Sequence, residues 1–190
     1  MSESDVHRST VRYPGGLTVR FRWAGTGRAA DVFALSEASG RLADHGPLVA
    51  AEPDRLCRAE MRVEGPRGSW TARFASPLFD GPTAFFWDVA GLLVAKYGFR
   101  CYALDARAGD LRWSREGGAP IIDVLGSARL DHVLIQSEID TVAVAADGTV
   151  VWRLAHSDVV TGAELVGGRL VLTSYGGQLA AFDAQSGRPL

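Results

Sequence analysis

Apolar and polar residues alternate with a period of two over much of this chain, and that period predicts strands. In residues 10–23, Val11 and Tyr13 stand among polar neighbours, and Pro14-Gly15-Gly16 interrupts the run. Leu17, Val19, Phe21 and Trp23 then fall on one side, with Thr18, Arg20 and Arg22 on the other. Such alternation marks a half-buried strand, so the stretch predicts a hairpin. Residues 57–74 predict a second one. Cys57, Ala59, Met61 and Val63 alternate with Arg58, Glu60, Arg62 and Glu64. Gly65-Pro66-Arg67-Gly68 forms the turn, and Trp70, Ala72 and Phe74 alternate with Thr71 and Arg73. Residues 1–9 are polar and read as a flexible N-terminus. Residues 31–42 fit two patterns: a helix ended by Gly40, or a strand, turn and strand. The echo between FALSEASGRL and the later YALDARAGDL favours the second. Residues 76–82, with two prolines, read as a linker.

From residue 84 the pattern repeats. Gly109, Gly148 and Gly187 are each 39 residues apart (148 − 109 and 187 − 148), and Trp113 and Trp152 share that period. An apolar strand precedes each glycine: Cys101-Tyr102-Ala103-Leu104, Thr141-Val142-Ala143-Val144 and Leu179-Ala180-Ala181-Phe182. A second strand precedes each of these, containing Val94, Leu134 and Leu172. Several short strands per copy at this spacing predict sheets stacked like propeller blades, because one four-stranded sheet cannot bury both of its faces alone. The recurrent tryptophan is expected to pack between neighbouring sheets.

These residues carry a resemblance. YALDARAGDLRW resembles the repeat of the pyrroloquinoline-quinone-like (quinoprotein-type) β-propellers, and AAFDAQSGRPL is similar. AVAADGTVVW departs further, with no Asp after Val144. The resemblance covers residues 84–190. It implies an all-β fold: a partial or small, about four-blade, propeller-like stack of antiparallel sheets, capped by the N-terminal hairpins of residues 10–80. The quinone and calcium of the dehydrogenases in this group require a complete ring, so no cofactor is expected here. A capped partial propeller, a closed four-bladed ring, a ring completed by a second chain and an unrelated β-sandwich all remain open.

The resemblance also directs attention to particular side chains. Residues 120–124 and 158–161 read as innermost strands, which places Asp123, Asp158 and Thr161 towards an axial channel. Gln136-Ser137-Glu138, Lys96-Tyr97-Gly98 and Ser174-Tyr175-Gly176 fall at hairpin tips, so Glu138, Tyr97 and Tyr175 are candidate partner contacts. His132 and Glu138 share parity on one strand. His156-Ser157-Asp158 holds the residue types of a hydrolase triad, but adjacent residues do not form that relay. No catalytic or metal site is expected. Arg20, Arg22, Arg58, Arg62 and Arg73 are predicted on outward faces, laced with Glu60 and Glu64. Gly25-Thr26-Gly27-Arg28-Ala29-Ala30 matches G-x-G-x-x-A, yet no parallel strand–helix–strand pattern follows, and a plain glycine loop is favoured.

Composition adds limits. A net charge of −2 and a pI near 6.1 argue against nucleic-acid binding, and no apolar run is long enough to span a membrane. The N-terminus shows no secretory signal. Cys57 and Cys101 sit in strand patterns and are expected as buried free thiols. One lysine among many arginines points to a GC-rich bacterial genome. The expectation is a cytoplasmic, non-enzymatic binding protein, monomeric or homodimeric, recognising a protein partner or small ligand through blade-tip loops. A small enzyme or cyclase-like accessory factor, with a pocket between hairpins and blades using Asp123, Asp158 and His132, is the alternative.

Overall fold

The computed structural model of the chain describes residues 5–34, 40–46 and 55–190. Its contacts divide it into two units, Met1–Pro82 with Leu104–Leu111, and Thr83–Ala103 with Arg112–Leu190.

The first unit contains β1 (His7–Tyr13), β2 (Leu17–Ala24), α1 (Ala29–Ala34), β3 (Arg41–His45), β4 (Cys57–Gly65) and β5 (Gly68–Ser76). The strands form one sheet in the order β1-β2-β4-β5-β3. Both hairpins form at the places the alternation predicts. Val19 and Phe21, Ala59 and Met61, and Trp70 and Phe74 are all buried on one face, each large side chain contributing about 1.5–3 kcal/mol. β3 runs parallel to β5, whereas the other pairings in this sheet are antiparallel.

Residues 31–42 differ from the expected strand, turn and strand. α1 occupies Ala29–Ala34 and β3 begins at Arg41, while residues 35–39 lie outside the described residues. The helix wins because Ala29 and Val32, three apart, are both buried on one side. Arg28 and Asp31 also form an i,i+3 ion pair.

In the second unit three antiparallel sheets stack face to face. The first contains β6 (Thr83–Trp87), β7 (Leu92–Tyr97), β8 (Arg100–Asp105) and β9 (Leu111–Glu116), although the turn Leu104–Leu111 is counted with the first unit. The second contains β10 (Ile121–Leu125), β11 (His132–Ser137), β12 (Asp140–Ala145) and β13 (Val150–Ala155). The third contains β14 (Val160–Val166), β15 (Arg169–Ser174) and β16 (Leu179–Asp183). Val94, Cys101 and Ala103 pack against Val133, Ile135, Val142 and Val144. On the other side Leu134 and Ala143 pack against Leu170 and Leu172. The middle sheet is thus covered on both faces, and all six residues of β11 are buried. That is why its apolar run VLI is unbroken by the usual alternation.

The period-39 tryptophans occupy matching environments. Trp113 donates its indole N–H to the Ala146 carbonyl (3.1 Å) and Trp152 to that of Gln185 (3.0 Å). Each ring also fills the space above a turn glycine. A Cβ on Gly148 would lie 2.9 Å from Trp113 Cγ, and one on Gly187 would lie 2.7 Å from Trp152 Cε3. Both glycines have positive φ, +90° and +70°, the conformation in which glycine alone avoids a steric penalty. Within the first unit the same contact occurs again: Trp70 donates to Ala106 O (3.1 Å), with its ring over Gly109. Sequence reading assigned Trp70 to a hairpin and missed this role.

The missing Asp after Val144 is made good locally. Asp105 Oδ1 accepts from the N–H groups of Arg107 and Ala108, both at 3.0 Å. Asp183 Oδ1 accepts from the Ser186 hydroxyl (2.6 Å) and from Ser186 N–H (2.8 Å). In the middle copy Asp147, one residue before the glycine, accepts from Thr149 N–H (2.9 Å) and its hydroxyl (2.7 Å). These bonds hold the carboxyls of Asp147 and Asp183 below the ordinary value of 3.8.

Both cysteines are free and buried, as expected. Burial pushes the Cys101 thiol up to about 12. A thiolate-specific reagent should therefore leave Cys101 unmodified in the native protein at neutral pH and label it on denaturation. Rapid native labelling of Cys101, read by mass spectrometry, would contradict this packing.

Candidate functional site

The hairpin tips of the second unit are anchored to the segments that lead into the next sheet. Gly117 N–H donates to Phe99 O (2.8 Å) and Ile121 N–H to Gly98 O (2.9 Å). One copy on, His156 N–H donates to Ile139 O and Val160 N–H to Glu138 O, both at 2.8 Å. Glu138 N–H also reaches Pro120 O (3.1 Å), and Tyr175 N–H reaches Val159 O (2.7 Å). The backbone at these tips is held in place, so what it presents is decided by side-chain direction.

Direction follows from register. Gln136 pairs with Asp123, and Thr173 pairs with Gly162. The structural counterpart of Asp123 is therefore Gly162, and Asp158 sits two residues before β14. The same shift places Tyr175 beyond the end of β15, at the apex of its turn, whereas Tyr97 is the last residue of β7. Consequently Tyr175 is 83% exposed and Tyr97 only 1%. The tyrosines that looked equivalent differ because a slip of one residue turns a side chain to the opposite face.

Around the tips a polar network stiffens the middle sheet. Thr141 donates its hydroxyl to Gln136 Oε1 (2.5 Å), and His156 Nε2 lies 2.8 Å from Thr141 Oγ1. With the threonine proton committed to Gln136, the imidazole donates from Nε2 and the hydroxyl accepts. Burial lowers the His156 pKa, against the opposing effect of Asp140. This arrangement does not activate Thr141, because a nucleophile must give its proton to the base. Ser137 donates to Asp140, which also accepts from Arg153 Nε (2.8 Å). Asp158 Oδ1 accepts from Val159 N–H (2.8 Å).

The remaining expected residues lie apart. His132 is buried at the opposite end of β11 from Glu138, its Nδ1 2.7 Å from Asp131 Oδ1 and its Nε2 2.9 Å from Ala184 O. Hydrogen bonds from His132 and Gln185 keep the Asp131 carboxyl below the usual range. Asp123 is half-buried in β10; burial raises its pKa, opposed by the Val124 N–H, the Lys96 charge and the Thr83 hydroxyl. Thr161 Oγ1 donates to Thr173 O (3.3 Å) on β15.

Glu138, Asp158 and Tyr175 thus share the tip end, linked by the Glu138–Val160 and Val159–Tyr175 backbone bonds. With them stand exposed apolar side chains that sequence reading did not single out: Ile139, Val159 and Leu179, the last 73% exposed. The signal was weak, an apolar residue where a turn ordinarily carries a polar one. Among the described residues no cluster of three or more His, Cys, Asp or Glu is placed to hold a metal ion. No helix there is long and apolar enough to cross a membrane.

Residues 100–190 match the family profile described as outer membrane protein assembly factor BamB. Among solved structures the chain is similar to BamB from Moraxella catarrhalis, with 20% identity and a TM-score of 0.50 over 69% of this chain and 41% of that one. It is also similar to the computationally designed Ika8 protein, with 12% identity and a TM-score of 0.54 over 72% of this chain and 45% of that one. Likeness at these identities concerns the fold. The chain spans less than half the length of either structure. Comparison with curated proteins finds no match.

Proposed function

We propose, on the premise that residues 100–190 carry the PQQ-type β-propeller repeat, that this chain is a non-enzymatic binding protein that recognises a protein partner through the tip end of its second unit. The observation that supports this reading most is the exposure of four apolar or aromatic side chains at and next to the hairpin tips, Ile139, Val159, Tyr175 and Leu179, in segments that also carry Glu138 and Asp158. Apolar anchors with a charged rim are the anatomy of a protein interface, and an exposed tyrosine is a common hot spot. The backbone beneath them is already hydrogen-bonded, so little ordering remains to oppose binding. The matched family profile also bears the description of an assembly factor.

Affinity capture from the native host should recover a specific partner with the wild-type chain. Tyr175→Ala should weaken that capture about tenfold or more while leaving the melting temperature unchanged. Equal recovery with Tyr175→Ala and with an Ile139→Ser/Leu179→Ser variant would sink this reading.

A further inference from the structure

The third sheet of the second unit has one face covered and one face open. Leu170 and Leu172 of β15, with Phe182 of β16, pack against the middle sheet. Register then fixes what the other face carries. Across β14 and β15, Glu164 pairs with Val171 and Val166 with Arg169. Across β15 and β16, Val171 pairs with Ala181. Val166 is 55% exposed, and Val171 and Ala181 are half-buried. In the middle sheet Leu134 and Ala143, at the centre of the corresponding face, are buried beneath the third.

The sequence of β15 suits a strand covered on both sides. Its run Leu170-Val171-Leu172 breaks the alternation of a half-buried strand, as VLI does in β11, where both faces are covered. The open face therefore has an apolar centre, Val171 with Ala181. Two charges of opposite sign border it: Glu164, directly opposite Val171, and Arg169, two residues before Val171 on the same strand. Among the described residues neither of these side chains forms a hydrogen bond or an ion pair. Asp183, which stands opposite Arg169, is held instead by Ser186 of its own turn.

We propose that this face packs against the same face of a second copy of the chain, in a two-fold dimer. A face that carries one unpaired charge of each sign is complementary to itself. A two-fold axis lying between the sheets, midway between Glu164 and Arg169, sets each copy's Glu164 carboxylate over the other's Arg169 guanidinium. Such an interface is isologous, and each contact occurs twice. Stacked sheets lie about 10 Å apart, so the apolar centres meet while the charges pair beside them. The footprint is small. Three strands of five to seven residues span about 14 by 20 Å, well under the roughly 800 Å² that each partner contributes to a standard interface. The dimer is therefore of the weak, reversible class. It does not depend on the tip surface, and the variants that test it leave Leu179, which the tip also presents, unchanged.

Sedimentation velocity of the full chain over a range of concentrations tests it. The wild type should show a monomer–dimer equilibrium that weakens as salt rises. Glu164→Arg alone and Arg169→Glu alone should each weaken dimerisation about tenfold or more, because like charges then face each other, with the melting temperature of the dilute monomer unchanged. The double variant Glu164→Arg/Arg169→Glu should dimerise as the wild type does. An equimolar mixture of the two single variants should do so as a heterodimer. Arg8→Glu, in the first unit, should leave the equilibrium where it was. The proposal is overturned by a wild type that stays monomeric at its highest soluble concentration, by single reversals that dimerise unchanged, or by a double variant that stays dissociated.

Discussion

Trp70→Ala should lower stability by about 3–5 kcal/mol, the range for removing a buried aromatic side chain, and more than truncation of either Trp113 or Trp152. The ring is buried, it closes over Gly109, and its indole N–H satisfies the Ala106 carbonyl. The alanine variant loses apolar burial, opens a cavity and leaves that carbonyl short of a donor. Trp70→Phe keeps most of the ring and loses the hydrogen bond, so it should cost about 1 kcal/mol for the bond plus a smaller packing term. Trp113 and Trp152 make the same contact but are only partly buried, so their alanine variants should cost less. Urea denaturation midpoints of the three alanine variants rank them directly. A Trp70→Ala cost below that of Trp113→Ala would show that the first-unit contact is not equivalent to the other two.

Gly148→Ala should cost about 2–4 kcal/mol, from about 1–2 for placing an L side chain at positive φ and about 1–3 for overpacking, the two being partly relieved together. Gly91→Ala is the matched control. Gly91 has φ +65°, yet a Cβ there meets nothing within 4 Å, so only the backbone penalty of about 1–2 kcal/mol applies. The excess at Gly148 is attributable to the Trp113 ring, and a double-mutant cycle isolates it. In Gly148→Ala/Trp113→Ala the clash is gone, and the combined cost should fall short of the sum by about 0.5–3 kcal/mol. Strict additivity would mean that the ring and the glycine are not in contact in solution.

The recurrent glycine and tryptophan were legible because one contact needs both residues: a ring large enough to span to the next turn, and a turn with no Cβ beneath it. Trp70 escaped notice because the strands around it lack the repeat's spacing, and only the folded chain brings it over Gly109. Residues 31–42 fit a helix or a strand, turn and strand, and the echo of FALSEASGRL in YALDARAGDL favours the second; burial of Ala29 and Val32 decides for α1. Of the candidate site residues, Glu138, Asp158 and Tyr175 meet at one end of the second unit. His132 and Tyr97 are buried, and that outcome depended on register.

The order of residues by itself determined which face of each strand is apolar, where the turns fall and that the second half is a set of similar sheets. These are properties of a period-two backbone and of glycines at positive φ, and they need no partner to be specified. Tertiary structure decided which of two similar tyrosines reaches solvent, and which face of the third sheet stays open. Such outcomes depend on how segments distant in the chain align. Loop lengths and bulges set that alignment, and a displacement of one residue exchanges the buried face for the exposed one.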